Sequence, residues 1–159
     1  MKEAIGGGWL LGFVAVFIVI FSAYLAISIN YTKAFKVKNK IINIIEEKEG
    51  YTESSNVEAG NVNLERLDSD NTTEGEVYKF LDTIGYAYEI SSCPDESASV
   101  RAGGYCIKKV CSGLSSYYKV TTFISIEIPI VWLKINVPIS GETKIIFNDT
   151  DPNSIACSS

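Results

Sequence analysis

One uncharged, almost wholly apolar stretch, residues 9–29, constrains this chain more than any other feature. As an α-helix at about 1.5 Å per residue it is roughly 30 Å long, which matches the hydrocarbon thickness of a bilayer. It continues without Gly or Pro into residues 30–49. The sequence therefore predicts one continuous transmembrane and juxtamembrane helix over residues 1–49.

Two other interpretations of the apolar stretch remain open. A cleaved signal peptide would use Lys2 as its basic start and Ala26-Ile27-Ser28 as a small-x-small cleavage site. A core helix of a soluble protein is the second alternative. The length of the stretch and its continuation as a helix favour an anchor.

The small residues of the apolar stretch share one side of the predicted helix. At about 100° per residue they fall within an arc of roughly 100°. Small residues allow helix backbones to approach closely inside a membrane. We therefore predict that this stripe packs against other helices: Gly8, Gly12, Ala15, Ser22, Ala23 and Ala26.

The second half of the predicted helix is amphipathic. Apolar residues recur there at spacings of three and four, which indicates a helix that buries one face. The members of this apolar face are Tyr31, Ala34, Val37, Ile41, Ile44 and Ile45. Gly50 is the predicted C-terminal cap.

The rest of the chain divides into a linker and a small domain. Residues 50–73 are polar and acidic, and we expect a loop or ill-ordered linker there. Residues 74–159 are expected to form a small α+β domain. Its helix is predicted over residues 74–84, with Thr72 or Thr73 as the N-cap and Gly85 after its end.

Alternating apolar residues predict a small antiparallel sheet of four or five strands. The expected strands cover residues 86–91, 105–110, 117–137 and 143–147. The alternation changes phase near Val131-Trp132-Leu133, which divides the longest segment into two strands. The predicted fold class is α+β: a long N-terminal helix followed by a disulfide-tied antiparallel sheet.

Four cysteines lie in the distal part of the chain: Cys93, Cys106, Cys111 and Cys157. An even count in a small domain favours two disulfides over free thiols or a zinc site, and there is no Cys-x-x-Cys pair. Three pairings are open. We prefer Cys93–Cys106 across a hairpin and Cys111–Cys157 at the C-terminus.

The sequence offers little for catalysis. It contains no histidine, which removes the commonest general base and metal ligand. The spacing of Ser116 and Lys119, the pair Asp95-Glu96, and Gly103-Gly104 each have a more ordinary structural explanation. We expect no catalytic residue, metal or cofactor and no enzymatic activity. Asp149, Asp151 and Asn153 resemble the start of a calcium loop, but a turn is favoured.

Charge and aromatic residues narrow the class of partner. The distal part is net acidic, so nucleic acid is not expected as a partner. Five tyrosines either line a binding surface or, as we prefer, form cross-strand pairs: Tyr86, Tyr88, Tyr105, Tyr117 and Tyr118.

The lysines that follow the apolar stretch bear on orientation. The cluster consists of Lys33, Lys36, Lys38 and Lys40. The positive-inside rule would place the domain in the cytoplasm, whereas the cysteines favour the outside. We expect the domain outside, with the lysines contacting lipid headgroups or glutamates of neighbouring helices.

The architecture resembles type IV pilin-like proteins, and within them the minor, TadE-like pseudopilins. The residues that carry the resemblance are Lys2-Glu3-Ala4, the stripe from Gly8 to Ala26, and the extension over residues 30–49. Phe13 stands where prepilins carry a glutamate, so the resemblance does not extend to cleavage by a prepilin peptidase. It implies a structural subunit whose helix packs with other helices in a homo- or hetero-oligomeric surface filament or secretion-type assembly. The alternative is a single-pass membrane protein whose outer domain recognises a ligand or partner protein.

Overall fold

The protein, in a computed structural model, is described over residues 2–55, 57–58, 61–62, 71–86, 88, 90–113, 115–128, 133–147, 155 and 157. Only the backbone is described for residues 2–7, 57–58, 61–62, 126–128 and 133–135. The fold is α+β, as predicted, with a long helix followed by an antiparallel sheet and two disulfides.

Helix α1 is continuous over Lys2–Glu47. From Ala34 onward its predicted apolar face is buried against the domain, because the three- and four-residue spacing places these side chains on one side. Tyr31 is the exception and remains exposed. The second half of α1 is therefore part of the domain core.

The end of α1 differs from the prediction by one residue. The Gly50 N–H donates to the Ile45 carbonyl at 3.1 Å, and the Glu49 N–H donates to the Glu46 carbonyl at 3.4 Å. These bonds form a Schellman motif, whose C′ residue adopts the left-handed conformation. That residue is Glu49, with φ of 55°, and not Gly50.

Helix α2 spans Thr73–Thr83. Thr72 is its N-cap, since its side chain accepts a hydrogen bond from the Gly75 N–H at 3.1 Å. Gly85, with φ of +60°, follows the C-cap residue Ile84, so the predicted end of the helix is confirmed. Val77 and Leu81 point into the core.

Besides the two helices, the described residues form seven strands, which are arranged in two sheets. A short two-stranded sheet pairs β1 with β2, and a five-stranded sheet has the order β3-β4-β5-β6, with β7 also paired to β5. All pairings are antiparallel. The strands are β1 Val57–Glu58, β2 Asn61–Val62, β3 Ser99–Arg101, β4 Tyr105–Ser112, β5 Ser115–Ile128, β6 Leu133–Glu142 and β7 Ile146–Phe147.

The longest predicted strand is two strands, as the phase change indicates. β5 ends at Ile128, β6 begins at Leu133, and these two residues are register partners. Pro138 lies within β6, an edge strand, where a missing N–H is tolerated. The predicted strand 143–147 is shorter than expected, because Thr143 leaves the ladder and bonds to Tyr118 through both its N–H and its side chain.

One prediction about the chain path is wrong where residues are described. Residues 86, 88 and 90 are not in a strand, and β3 forms at Ser99–Arg101, which was not predicted. The start of the expected linker is structured, because Tyr51 is fully buried and Thr52 bonds to Thr73. Residues 63–70 of that segment lie outside the described residues.

The core lies between one face of the sheet and the two helices. Strand alternation places Tyr118, Val120 and Thr122 on the face toward α1. The core cluster is Val37, Ile41, Ile44, Ile45, Tyr51, Val77, Leu81, Tyr86, Tyr105, Ile107, Tyr118, Val120 and Ile146. The domain is thus built around the second half of α1.

Candidate functional site

The first half of α1 projects from the domain. Every side chain from Gly8 to Ile29 is exposed, and we call residues 8–29 the exposed half of α1. The helical segment Gly8–Glu47 includes an 18-residue window with a mean hydropathy of 2.7, none of it buried. By length and composition this helix can cross a membrane, and it is the one such helix among the described residues.

The six small residues of the predicted stripe all lie on this exposed half: Gly8, Gly12, Ala15, Ser22, Ala23 and Ala26. A Cβ built on Gly8 or Gly12 meets nothing within 4 Å apart from the adjoining helix backbone, over the part of the chain that is described. The described part of the domain therefore leaves this surface open to a second helix.

The stripe lies close to the side of α1 that faces the sheet. At about 100° per residue, its centre is only about 55° from the centre of the buried positions in the second half of the helix. A helix that packed on the stripe would therefore approach α1 from near the side that faces the sheet.

Aromatic residues occupy other sides of the exposed half. Trp9 and Phe13 have ring centroids 5.6 Å apart, and Phe17 and Phe21 have centroids 6.2 Å apart. These pairs follow the i, i+4 spacing of neighbours on a helix surface. Their bulk separates backbones, so close helix approach is possible only on the side of the small residues.

The lysine cluster is divided between the domain and the surface. Lys33 donates to the Gly85 carbonyl at 3.2 Å. Lys38 is buried, and its Nζ lies 4.4 Å from the centroid of the Phe35 ring. Lys33, Lys36 and Lys40 are exposed. Three of the four lysines are therefore accessible from outside the domain.

A buried polar network joins the end of α1 to α2 and the sheet. The hydroxyls of Tyr51 and Tyr105 are 2.6 Å apart, and the Glu74 carboxylate accepts from the Ser54 N–H at 2.9 Å. Arg101 pairs with Glu74 at 3.6 Å. Its other partner, Glu53, lies closer to the surface.

The electrostatics of this network follow from burial. Loss of solvent raises the pKa of Glu74 although the Ser54 N–H and Arg101 favour its charged form. Burial also raises the pKa of Tyr51 well above its usual range, with Tyr105 and Glu74 adding to the effect. Such a network couples the start of α2 to the sheet. The sequence did not indicate it, because its bonded pairs are 20 to 54 residues apart.

The tyrosines do not form an exposed binding surface. Tyr86, Tyr105 and Tyr118 are buried. Tyr51 packs against Tyr118 at 6.3 Å, and Tyr86 packs against Tyr88 at 4.7 Å. The expected cross-strand pairing is therefore replaced by pairs with residues outside the sheet. The Tyr86 hydroxyl also bonds to the backbone of Phe123, accepting from its N–H at 2.9 Å.

The weak chemical motifs are separated or used locally. Ser116 and Lys119 lie an odd number of residues apart in β5, so they point to opposite faces of the sheet. Gly104 has φ of 81°, and a Cβ there would overlap the Tyr88 carbonyl, which explains the glycine by a turn. Residues 149, 151 and 153 lie outside the described residues.

Asp95 holds the loop before β3 in place. Its carboxylate accepts from the Ser97 hydroxyl at 2.6 Å and from Lys108 Nζ at 3.1 Å. The Ser97 hydroxyl, then Lys108, lower the pKa of Asp95 to about 2. The neighbouring Glu96 is exposed.

Both disulfides have the predicted pairing. Cys93–Cys106 ties the loop before β3 to β4, and Cys111–Cys157 ties the end of β4 to the C-terminal segment. An open cleft of 730 Å³ lies beside the first disulfide, between the 94–98 loop and the outer face of the sheet. Lys119, Thr121 and Ser140 form its floor.

Comparison with known protein families, curated proteins and solved structures finds no match to this chain.

Proposed function

We propose that this protein is a membrane-anchored, non-enzymatic structural subunit of a cell-surface pilus, pseudopilus or secretion-type assembly. The observation that carries the proposal is the division of α1. One continuous helix has its second half in the domain core and its first half exposed, with a stripe of small residues open to other helices.

The continuity of the helix supports a load-bearing role. Because α1 passes from its exposed half into the core without Gly or Pro, contacts between helices would position the domain directly. The two disulfides support a domain outside the cytoplasm, where thiols are oxidised. The subunit then resides in the cell membrane by a single pass before it enters an assembly.

Bulky substitutions on the stripe test the packing role. Gly12→Ile and Ala15→Leu add volume where backbones would approach, and Val14→Leu is the matched control, because position 14 lies about 130° from the stripe centre. Sedimentation equilibrium in density-matched detergent should show oligomers for the wild type and the control and monomers for the two stripe variants. The sheared surface fraction of expressing cells should lose the protein in parallel.

The proposal fails if the wild type is monomeric in detergent and if the wild type, the two stripe variants and the control are equally abundant in the sheared fraction.

The orientation of the domain has a separate test. An impermeant maleimide applied to intact cells after reduction should label the domain cysteines. Labelling that requires lysis would place the domain in the cytoplasm.

The cleft of 730 Å³ supports a second candidate, a single-pass protein whose outer domain binds a ligand or partner protein. In that case Lys119→Glu, in the floor of the cleft, should abolish binding of the partner. Assembly measured by sedimentation should be unaffected by Lys119→Glu and by the stripe variants alike.

A further inference from the structure

The far end of the β5–β6 ladder extends beyond the rest of the sheet. The last pair between β4 and β5 is Cys106↔Thr121, whereas β5 and β6 stay paired to Ile128↔Leu133. We call residues 122–128 with 133–139 the β5–β6 extension. Beyond Phe123, whose N–H bonds to the Tyr86 hydroxyl, the edge of β5 has no strand partner among the described residues.

The direction of this extension is fixed by its contacts with α1. The Lys144 N–H donates to the Glu46 carboxylate at 2.8 Å, near the end of the helix. Thr122, at the start of the extension, donates to the Ala34 carbonyl at 3.2 Å. The partners on α1 thus move toward its N-terminus as the ladder is followed from Lys144 to Thr122. The extension continues in that direction, toward the exposed half of α1.

Distances along the two elements show how far it reaches. The six residues from Thr122 to Ile128 cover about 20 Å of strand. On α1, Ala34 is five residues, or about 7.5 Å, from the last residue of the uncharged stretch, Ile29. Even if the strand were inclined by about 40° to the axis of α1, it would advance roughly 15 Å along the helix. The end of the extension therefore lies level with the uncharged stretch.

The two faces of the extension differ in chemistry. Beyond the pairs Thr122↔Ile139 and Phe123↔Pro138, register and strand alternation place six apolar positions on the face toward α1: Ile124, Ile126, Ile128, Leu133, Ile135 and Val137. The other face carries Ser125, Glu127, Lys134 and Asn136. The extension is therefore an amphipathic two-stranded ribbon.

The cover on the apolar face ends partway along it. Ile124 is 3% exposed, but Val137, its register partner, is 38% exposed. On the side of α1 that faces the sheet, Ala34 is buried, whereas Ala23, Ala26 and Ile27 are exposed. The helix therefore covers Ile124, at the root of the ribbon, and leaves its register partner Val137 partly exposed.

We propose that the apolar face of the β5–β6 extension rests in the interface of the same bilayer that α1 crosses, as a second membrane contact of the domain. We assign lipid as the partner of this face because the ribbon lies level with the uncharged, apolar stretch of α1. The depth is limited to the boundary between headgroups and acyl chains, since the register pair Glu127↔Lys134 and the unpaired edge of β5 are costly in hydrocarbon. The domain is thereby held at a fixed height above the membrane.

This inference rests on the insertion of α1 that the proposed function requires, and the two tryptophans of the chain separate the two claims. Trp9 reports α1, and Trp132, in the sequence between Ile128 and Leu133, reports the extension. The full chain is reconstituted as Trp9→Phe and as Trp132→Phe in phosphatidylcholine vesicles. The lipids are brominated either near the headgroup end or near the tail end of the acyl chains.

Bromines near the headgroup end are expected to quench the fluorescence of Trp132. Bromines near the tail end and aqueous iodide should quench it only a little. Trp9 should be quenched independently, which establishes insertion of α1. If Trp9 is quenched but iodide quenches Trp132 and bromines do not, this inference is overturned and the insertion stands. If neither tryptophan is quenched by bromines, the membrane role of α1 fails as well.

A matched pair of variants locates the contact on one face. In the Trp9→Phe chain, Ile135→Glu should abolish quenching of Trp132 by bromines, while Asn136→Glu, one residue along on the opposite face, should retain it. A second copy of the chain is the competing occupant. Protection of Trp132 from both quenchers that disappears when the protein is diluted with lipid would overturn the lipid contact in favour of that copy.

Discussion

Ile20 and Ile41 are both isoleucines of helix α1, yet Ile20 is 63% exposed and Ile41 is fully buried. The helix is apolar on one face around Ile41 and on all faces around Ile20. The sheet covers the apolar face around Ile41, whereas the surface around Ile20 has no partner in the described chain. The contrast shows two kinds of helix surface. The amphipathic surface around Ile41 packs within the molecule, whereas the uniformly apolar surface around Ile20 is available to lipid or to another protein.

The largest difference between the two halves should appear on truncation of these isoleucines. Ile41→Ala leaves a cavity in the core and should lower the free energy of unfolding of the domain by about 2–5 kcal/mol. Ile20→Ala should leave it unchanged. Chemical denaturation of the full chain in detergent, followed by near-UV circular dichroism of the tyrosines, measures both. Equal effects would break the distinction between the halves.

A smaller effect is expected from two threonine hydroxyls that bond to carbonyls of α1, one buried and one exposed. Thr122→Val removes the buried hydrogen bond to the Ala34 carbonyl and should cost about 1 kcal/mol. Thr32→Val removes a bond to the Ser28 carbonyl that is exposed to solvent, and should have no measurable effect on domain unfolding. The same denaturation experiment compares them. A larger loss for Thr32→Val would contradict the assignment.

The Schellman motif at the end of the buried half predicts a gain of stability. Glu49 pays the cost of a left-handed backbone, so Glu49→Gly should stabilise the domain by about 1 kcal/mol. Glu47→Gly, inside the helix, should destabilise by up to about 1 kcal/mol. Thermal unfolding of the two variants gives the signs, and the same sign for both would refute the cap geometry.

The smallest predicted effect is a pH dependence at Glu46. The Lys144 backbone N–H, and then the Lys144 side chain, lower the pKa of Glu46 below its ordinary value of 4.5. A lowered folded-state pKa stabilises the fold above pH 4.5, and this contribution disappears as pH falls through the folded-state pKa. The difference in unfolding free energy between wild type and Glu46→Gln should therefore shrink below pH 4.5. A difference that stays constant as pH falls through 4.5 would contradict the contact between Glu46 and Lys144.

Local patterns predicted much of this fold. The phase change divided β5 from β6, and the Thr72 cap and Gly85 marked α2. These features depend on neighbours in sequence. The prediction of a strand over 86–91 was wrong because Tyr86 alternates like a strand residue but uses its hydroxyl to bond the edge of β5 at Phe123.

The candidate site was predictable only in part. Helical angles placed the stripe from Gly8 to Ala26 on one side of α1, and the open space around Gly8 and Gly12 agrees with an available surface. The direction of the β5–β6 extension and the pairing of Glu74 with Arg101 depend on how distant segments pack. No spacing in the sequence specifies such contacts.

The unbroken path of α1 gives the molecule a lever arm. About 27 Å of helix separates Ile29 from Glu47. A tilt of about 20°, common for transmembrane helices, would carry the far end sideways by roughly 9 Å. With no Gly or Pro after Gly12 to act as a hinge within the helix, the sheet must swing with it. A change in helix packing inside the membrane would therefore displace the whole domain.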